Sequence, residues 1–494
     1  MKFAKSTLAA ATALAASMGS AFAAAPLASH DVVLHISGAT ALNSSIKNMV
    51  ATYCGTTTAP QLYRKIVSGV PDSNWAAYEC TLTNNPADAE YPLLLAKGLN
   101  GKTMLIYHTT KVNAELGGSI LGVMPIYRTI PMEYVTPETA CTANGTEVNG
   151  GVTFTRWSCT NSHYATSDVG VSDVSPDVFE GVNLSNATLD PSNQSIDTAA
   201  EVVAWSSPLT ATEKAAVNTK PALAVGFGVA ANTNLAGAGV TSLTRDQFAS
   251  ILAGKVDFWD QMFPENAALA GQPVTVCRRT QGSGTQASYN AFFNNNPCGN
   301  SNGTALSVAD GSSTGVFGAL TVVENSASSD VRVCLANANT AGAYAVGNLS
   351  LESLPTTGWT FLGLDGVNPY DVAGDVNDGE SDGIREELIA SSQYGFYEES
   401  TMQWKNTLSD LPGNPKLTLA NLLRDNAGNP VIANQLRAVL AAASVWHNPS
   451  FPAYSADTNG NGIADAREYP AVMATGIMEY TRNGNACLPS SYLP

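Results

Sequence analysis

The stretch VCRRTQGSGT, residues 276–285, decides how the rest of the chain is read. Residues 272–279 (QPVTVCRR) predict a strand, and QASYNAFF at 286–293 predicts a helix. The join between them, Gln281-Gly282-Ser283-Gly284-Thr285, consists mainly of small and hydroxyl-bearing residues. A strand that ends this way and opens a helix offers an anion the unpaired N–H groups and positive dipole end of that helix, together with side-chain hydroxyls. Arg278 and Arg279 stand just before the turn, where a planar guanidinium can pair bidentately with an oxyanion.

Two further segments share the design. DVVLHISGA (31–39) predicts a strand that ends in Ser37-Gly38-Ala39-Thr40, and a helix over 41–53 follows with Leu42, Ile46, Met49 and Val50 at helical spacing. KTMLIYHT (102–109) predicts a buried strand, after which Gly117-Gly118-Ser119 precedes ILGVMPIY as a third turn of the same kind. Taken singly, such a turn is more often only a helix cap. Beyond these, 223–231, 331–336 and 341–349 predict strands, and 243–254 predicts a capped amphipathic helix. Strands alternating with helices imply an α/β fold. Residues 365–385, rich in Gly and Asp, predict a surface insertion.

The compartment follows from the N-terminus. Lys2 and Lys5, a run of small and apolar residues over 7–20 and Ala21-Phe22-Ala23 predict a signal peptide over 1–23. No later segment has the roughly 18 consecutive apolar residues of a membrane helix. The first cysteine, Cys54, is far from the expected cleavage site, so no lipid anchor is expected and the mature chain should be periplasmic or secreted. The formal charge is −17, from 24 Lys+Arg against 41 Asp+Glu, which argues against nucleic acid as a partner. Charged residues make up 13% of the chain and hydrophobic ones 44%, a globular profile. The eight cysteines suit disulfides in an oxidising compartment. Cys54 with Cys80 and Cys141 with Cys159 are the expected short pairs, while Cys277, Cys298, Cys334 and Cys487 leave three arrangements open.

The segment 276–285 resembles the Arg-Arg-x-x-Gly-Ser-Gly-Thr stretch of the PstS-like phosphate-binding proteins, the periplasmic substrate-binding subunits of phosphate ABC transporters. Three more segments resemble the family in the right order: ISGATA (36–41), GVSDVSPDVF (170–179) and LTRDQFASILAGKVDFWDQ (243–261). Relative to the family the chain carries insertions near 55–100, 130–165 and 365–480. The resemblance implies a two-lobed α/β fold of the type II periplasmic-binding-protein class, with the anion held between lobes. It places lobe I at 26–222 and 350–494 and lobe II at 223–349. Carried over by position, it implies that Thr40 and the Ala41 backbone donate from one side and that Ser283, Gly284 and Thr285 cradle another. Arg279 would supply the positive charge, Ser119 a further donor, and Asp173 a carboxylate that accepts a phosphate proton. Arg278, on the opposite strand face, is expected outward or in a structural pair. Gln281 is expected at the anion as well, as a side chain that can both donate and accept, and it departs from the family, where a carboxylate is usual, as does Ala41, where Phe is common.

DTNGNGIADARE (457–468) follows the twelve-residue calcium-loop spacing: Asp457, Asn459 and Asn461 at positions one, three and five, the Ile463 carbonyl at seven, Asp465 at nine and Glu468 at twelve. A structural Ca2+ is expected there, whereas Asp378, Glu380 and Asp382 echo the pattern only in part. The histidines, His30, His35, His108, His163 and His447, lack metal-site spacing, and no G-x-S-x-G elbow or P-loop occurs. The reading is therefore a monomeric, exported solute-binding protein for phosphate or a similar oxyanion, without catalytic residues and served by an ABC transporter permease. A secreted phosphate-ester hydrolase and a calcium-stabilised adhesin or matrix protein are the alternatives.

Overall fold

The computed structural model describes residues 29–39, 46–47, 50–51, 53–54, 60–83, 98–112, 117–137, 141–149, 152–184, 205–299, 305–306, 308, 312–351, 353, 355–370, 385, 388–389, 391–427, 450–452, 480–482 and 484–492. The expected signal peptide, Thr40, Ala41, the partial acidic repeat at 378–382 and the calcium-type loop at 457–468 lie outside the described residues.

In chain order the strands of the first half are β1 (Val32–Gly38), β2 (Gln61–Val67), β3 (Val70–Thr81), β4 (Thr103–Thr109), β5 (Pro131–Val135), β6 (Cys141–Asn149), β7 (Val152–Cys159), β8 (Ser162–Thr166) and β9 (Val169–Ser172). The second half supplies β10 (Val217–Asn232), β11 (Ser242–Leu243), β12 (Val274–Arg279), β13 (Thr314–Phe317), β14 (Leu320–Asn325), β15 (Tyr344–Ser350), β16 (Trp359–Leu364), β17 (Tyr397–Lys405) and β18 (Ser450–Pro452). The helices that matter for the site are α1 (Ile120–Arg128), α2 (Arg245–Leu252), α3 (Gly284–Asn294) and α4 (Ser328–Thr340).

Sixteen strands join in one mixed sheet whose main path runs β13, β14, β12, β15, β10, β17, β9, β1, β4, β3, β2, β7, β6. The fold is thus mixed α/β and dominated by its sheet. β10 carries the path across the middle: its first part pairs antiparallel with β17 and its last part with β15 and β16. Its register with β17 shifts between Pro221 and Ala224, where proline has no N–H to give the ladder. The boundary expected at 222/223 therefore falls inside a continuous strand. β2, β3, β6 and β7, which arise from segments expected as insertions, extend one edge of the sheet.

Residues 331–336, expected as a strand, lie instead within α4. The β-branched content of VRVCLA favoured the strand reading, but a strand would bury Val331, Val333 and Leu335 on one face. Val331 and Leu335 are fully buried and Val333 is 58% exposed, which is helical spacing. α2 matches its expectation closely, because Thr244 closes a capping box with Gln247: Gln247 N donates to Thr244 Oγ1 (3.1 Å) and Thr244 N to Gln247 Oε1 (2.8 Å).

Disulfides join Cys54 to Cys80 and Cys141 to Cys159, as expected. The remaining pairs are Cys277–Cys334, which ties β12 to α4, and Cys298–Cys487, which ties the segment after α3 to the C-terminal residues.

α1 packs directly onto β9 through glycines on both elements. A Cβ at Gly170 would stand 1.7 Å from Gly122 O and 2.7 Å from Ile126 Cγ1, and one at Gly122 would stand 2.0 Å from Val171 O. Only glycines let the helix settle onto the strand at this distance. Gly170→Ala should lower the unfolding free energy by about 1–3 kcal/mol, the usual range for overpacking against atoms that cannot yield. Urea titration of the two proteins measures this, and an unaltered midpoint would show that the helix and strand can separate freely.

Candidate functional site

The candidate site forms where three strand ends meet helix starts. β12 delivers Arg278 and Arg279 to opposite environments. Arg278, 4% exposed, pairs with Glu324 of the adjacent strand β14 at 2.7 Å and also donates to Leu306 O. Arg279 has no exposed surface. Its Nε donates to Asn325 O (3.2 Å), Nη1 to Ser328 Oγ (3.2 Å) and Nη2 to Ser326 O (2.8 Å). Burial lowers its pKa to about 10, an effect that Asp173 and Asp330 partly offset, so the guanidinium keeps its charge at neutral pH.

After Arg279 the chain turns through Gly282, at φ +79°, and Ser283 caps α3, its hydroxyl accepting from Gln286 N at 3.4 Å. The first N–H groups of α3, at Gly284 and Thr285, have no acceptor within the helix and point out of its N-terminus. Ser283, Gly284 and Thr285 are all buried, and Gln281 is half-buried. The Thr285 hydroxyl has no hydrogen-bond partner among the described residues.

Ser119 and Asp173 approach from the other side. Ser119 stands at the start of α1 and Asp173 directly after β9, elements that the Gly122–Gly170 contact holds together. Ser119 Oγ accepts from Asp173 N at 2.9 Å, and Ile120 N donates to Gly282 O at 3.0 Å, which joins the α1 start to the turn before α3. A Cβ at Gly284 would lie 2.1 Å from Ser119 Oγ and 2.8 Å from Asp173 Oδ2. One at Gly118 would lie 3.5 Å from Arg279 Nη2. Ser119, Asp173, Arg279, Ser283 and Gly284 are therefore mutual neighbours, although 165 positions separate the first of them from the last in the sequence numbering.

Asp173 is 1% exposed, and neither carboxylate oxygen accepts a hydrogen bond among the described residues. Burial raises its pKa to about 6, while the Ser119 hydroxyl and the Arg279 charge pull the other way. A buried carboxylate without a donor is costly unless something supplies a proton. The site can thus offer a tetrahedral oxyanion a guanidinium, two hydroxyls and a helix N-terminus, and can offer a ligand hydroxyl one acceptor.

A chain of buried amides that the sequence reading did not single out supports the turn. Arg279 N donates to Asn348 Oδ1 (2.9 Å), Asn348 Nδ2 to Gln286 Oε1 (2.6 Å), Gln286 Nε2 to Asn290 Oδ1 (3.1 Å) and Asn290 Nδ2 to Asn183 Oδ1 (2.7 Å). Gly282 N then donates to Asn183 O at 3.2 Å, so the chain closes on the turn itself. The available signal was an asparagine inside an apolar strand, Asn348 in AYAVGNL, because a buried amide has to find partners.

Residues 158–360 match the model of a family described as the PBP superfamily domain. No curated protein sequence matches the chain. Among solved structures, the chain is similar to a protein from Clostridium perfringens crystallised with bound phosphate and assigned to phosphate ABC transport, at 12% identity. That alignment covers 82% of this chain and 97% of the other, with a TM-score of 0.39. It is also similar to PstS from Borrelia burgdorferi (11% identity, 82% and 97% covered, TM-score 0.33) and to an ABC-type phosphate transport receptor from Vibrio cholerae (16% identity, 50% and 70% covered, TM-score 0.27). The stretch that matches the PBP superfamily domain, residues 158–360, holds Asp173, Arg279 and the Gly-Ser-Gly-Thr turn.

Proposed function

We propose that this protein is an exported solute-binding protein that captures phosphate, or a closely similar tetrahedral oxyanion, for uptake by an ABC transporter. The observation that carries the proposal is the convergence of Arg279, Ser119 and the open N-terminus of α3 on the buried, donor-less carboxylate of Asp173. The names of the neighbouring proteins point to the same ligand class. Phosphate fits this set because one of its oxygens still carries a proton for Asp173, whereas sulfate brings only lone pairs to an acceptor. With Gln281 in place of a second carboxylate, selection against fully deprotonated anions falls to Asp173.

Ser119 Oγ and Gly284 are in direct contact in this structure, so an anion enters only if the α1 and α3 starts move apart and close again around it. Thr40 and Ala41 complete the donor set in this reading. Periplasmic or extracellular location, a monomeric state and the absence of turnover belong to the same proposal, as does a structural Ca2+ at 457–468.

Arg279→Ala should weaken phosphate binding by about 2–5 kcal/mol in calorimetric titration, because it removes the buried charge on which the anion depends. Arg278→Ala should lower stability, by removing the buried Arg278–Glu324 ion pair, while leaving phosphate affinity of the folded protein unchanged. Equal phosphate affinity in wild type and Arg279→Ala would remove the assignment.

Asp173 gives the site a pH signature. With its pKa raised to about 6, the carboxyl is neutral below that pH and charged above it. Sulfate stays fully deprotonated across this range, so its affinity should rise by up to about tenfold as pH falls from about 7 to about 5, when Asp173 becomes a donor. Asp173→Asn should bind sulfate with little pH dependence, and a wild-type sulfate profile that is equally flat would place Asp173 outside the site.

For the calcium loop, Ca2+ should raise the melting temperature of the wild type and Glu468→Gln should forfeit most of that gain, since a ligand bound only by the folded state stabilises it by mass action. Melting that ignores both Ca2+ and chelator would reduce the loop to an acidic turn.

A further inference from the structure

A cavity of 310 Å3 opens at the opposite end of α3 from the Gly-Ser-Gly-Thr turn. α3 has 11 residues, so the two places are about 16 Å apart along its axis. Arg245 at the start of α2, Phe292 and Asn295 at the end of α3, Glu398 of β17, and Arg482 and Leu488 of the C-terminal segment line it. That segment is fastened here by the Cys298–Cys487 disulfide and by Arg482, whose Nη1 donates to Tyr397 O at 3.0 Å.

The charges in this cavity are arranged for a particular kind of guest. Glu398 is 1% exposed, and its carboxylate lies 3.0 Å from Arg482 Nη1 but accepts no well-directed hydrogen bond among the described residues. Its neighbour Glu399 differs in this respect, because it accepts from Thr481 Oγ1, Arg482 N and Gly484 N. Arg245, exposed, stacks its guanidinium 4.6 Å over the Phe292 ring, and Arg482 lies 5.0 Å over Tyr397. The wall therefore carries two guanidinium groups against one carboxylate. A guest that completes it brings an anionic group for the arginines, a cationic donor for Glu398 and an apolar body for Phe292 and Leu488.

We propose that this cavity binds a free α-amino acid with an apolar side chain, its carboxylate between Arg245 and Arg482 and its ammonium on Glu398. The volume suits a single residue of this class. Burial pushes the Glu398 carboxyl up to about 7 even beside Arg482, and an arriving ammonium would hold it ionised. The inference does not depend on the oxyanion reading, because none of these residues belongs to that site.

The test is calorimetric titration of the full chain with L-leucine, with 4-methylpentanoate, which lacks the ammonium, and with 3-methylbutylamine, which lacks the carboxylate. Leucine should bind saturably, and each half-ligand at least about tenfold more weakly, because each loses one charged contact. Arg245→Ala, a change at an exposed position, should weaken leucine at least about tenfold while leaving the phosphate titration of the folded protein unchanged. Glu398→Gln should abolish the preference for leucine over 4-methylpentanoate, and if that variant does not fold, Arg245→Ala and the two half-ligands still decide. Absence of saturable leucine binding, equal binding of leucine and 4-methylpentanoate, or displacement of leucine by phosphate would each overturn the proposal.

Discussion

A guanidinium with no surface exposed to water sets the terms for the rest of this structure. The Arg279 charge, buried between strands, must be met by acceptors, and the chain supplies them from Asn325, Ser326 and Ser328, so the β14–α4 connection is drawn over the end of β12. The Arg279 backbone N–H in turn fixes Asn348, from which hydrogen bonds run through Gln286 and Asn290 to Asn183 and back to the turn at Gly282. Charge, amide network and helix start are one unit, and a network of this kind is rigid only while every member is satisfied. Asp173 and Thr285 stand apart from it: the Asp173 carboxylate shares the burial without a donor, and the Thr285 hydroxyl has no hydrogen-bond partner among the described residues. Uncompensated groups beside a satisfied network are where a ligand adds most.

The sheet explains how that unit meets the other half of the molecule. β1 lies between β4 and β9, all parallel, so their ends place the Ser37–Ala39 turn, the approach to Ser119 and Asp173 along one rim. β12 lies between β14 and β15, also parallel, and ends at Arg279. Ligands of open α/β sheets gather at such strand ends, where loops and helix starts converge. β10 and β17 join the two parallel regions, and the register shift beside Pro221 puts the least regular pairing of that junction between them.

How much of this was legible in the sequence varied with distance along the chain. The strand–turn–helix around 276–285 is local, and its small residues, its arginine pair and its apolar flanks could be read directly. The short disulfides Cys54–Cys80 and Cys141–Cys159 were legible for the same reason, whereas Cys277–Cys334 depended on where α4 would pack. That helix was misread, because the β-branched residues of 331–336 outweighed the i, i+4 spacing of Val331 and Leu335. The meeting of Ser119 with Asp173 could not be derived from composition or periodicity. It rests on Gly122 and Gly170 allowing two backbones to touch, and a glycine's reason for being in a strand shows only once its neighbour is known. The asparagine and glutamine chain behind Arg279 was likewise hidden, since its members lie in elements far apart in sequence.

The central claim is that the neighbours of Asp173 form a site for a proton-bearing oxyanion. Its most direct measurement is calorimetric titration of phosphate into the wild-type protein, unfolded and dialysed free of bound anion and then refolded with its disulfides intact. The account predicts saturable binding of one phosphate per chain, tighter than sulfate under the same conditions. No saturable heat with phosphate, or sulfate bound as tightly as phosphate at neutral pH, would contradict it.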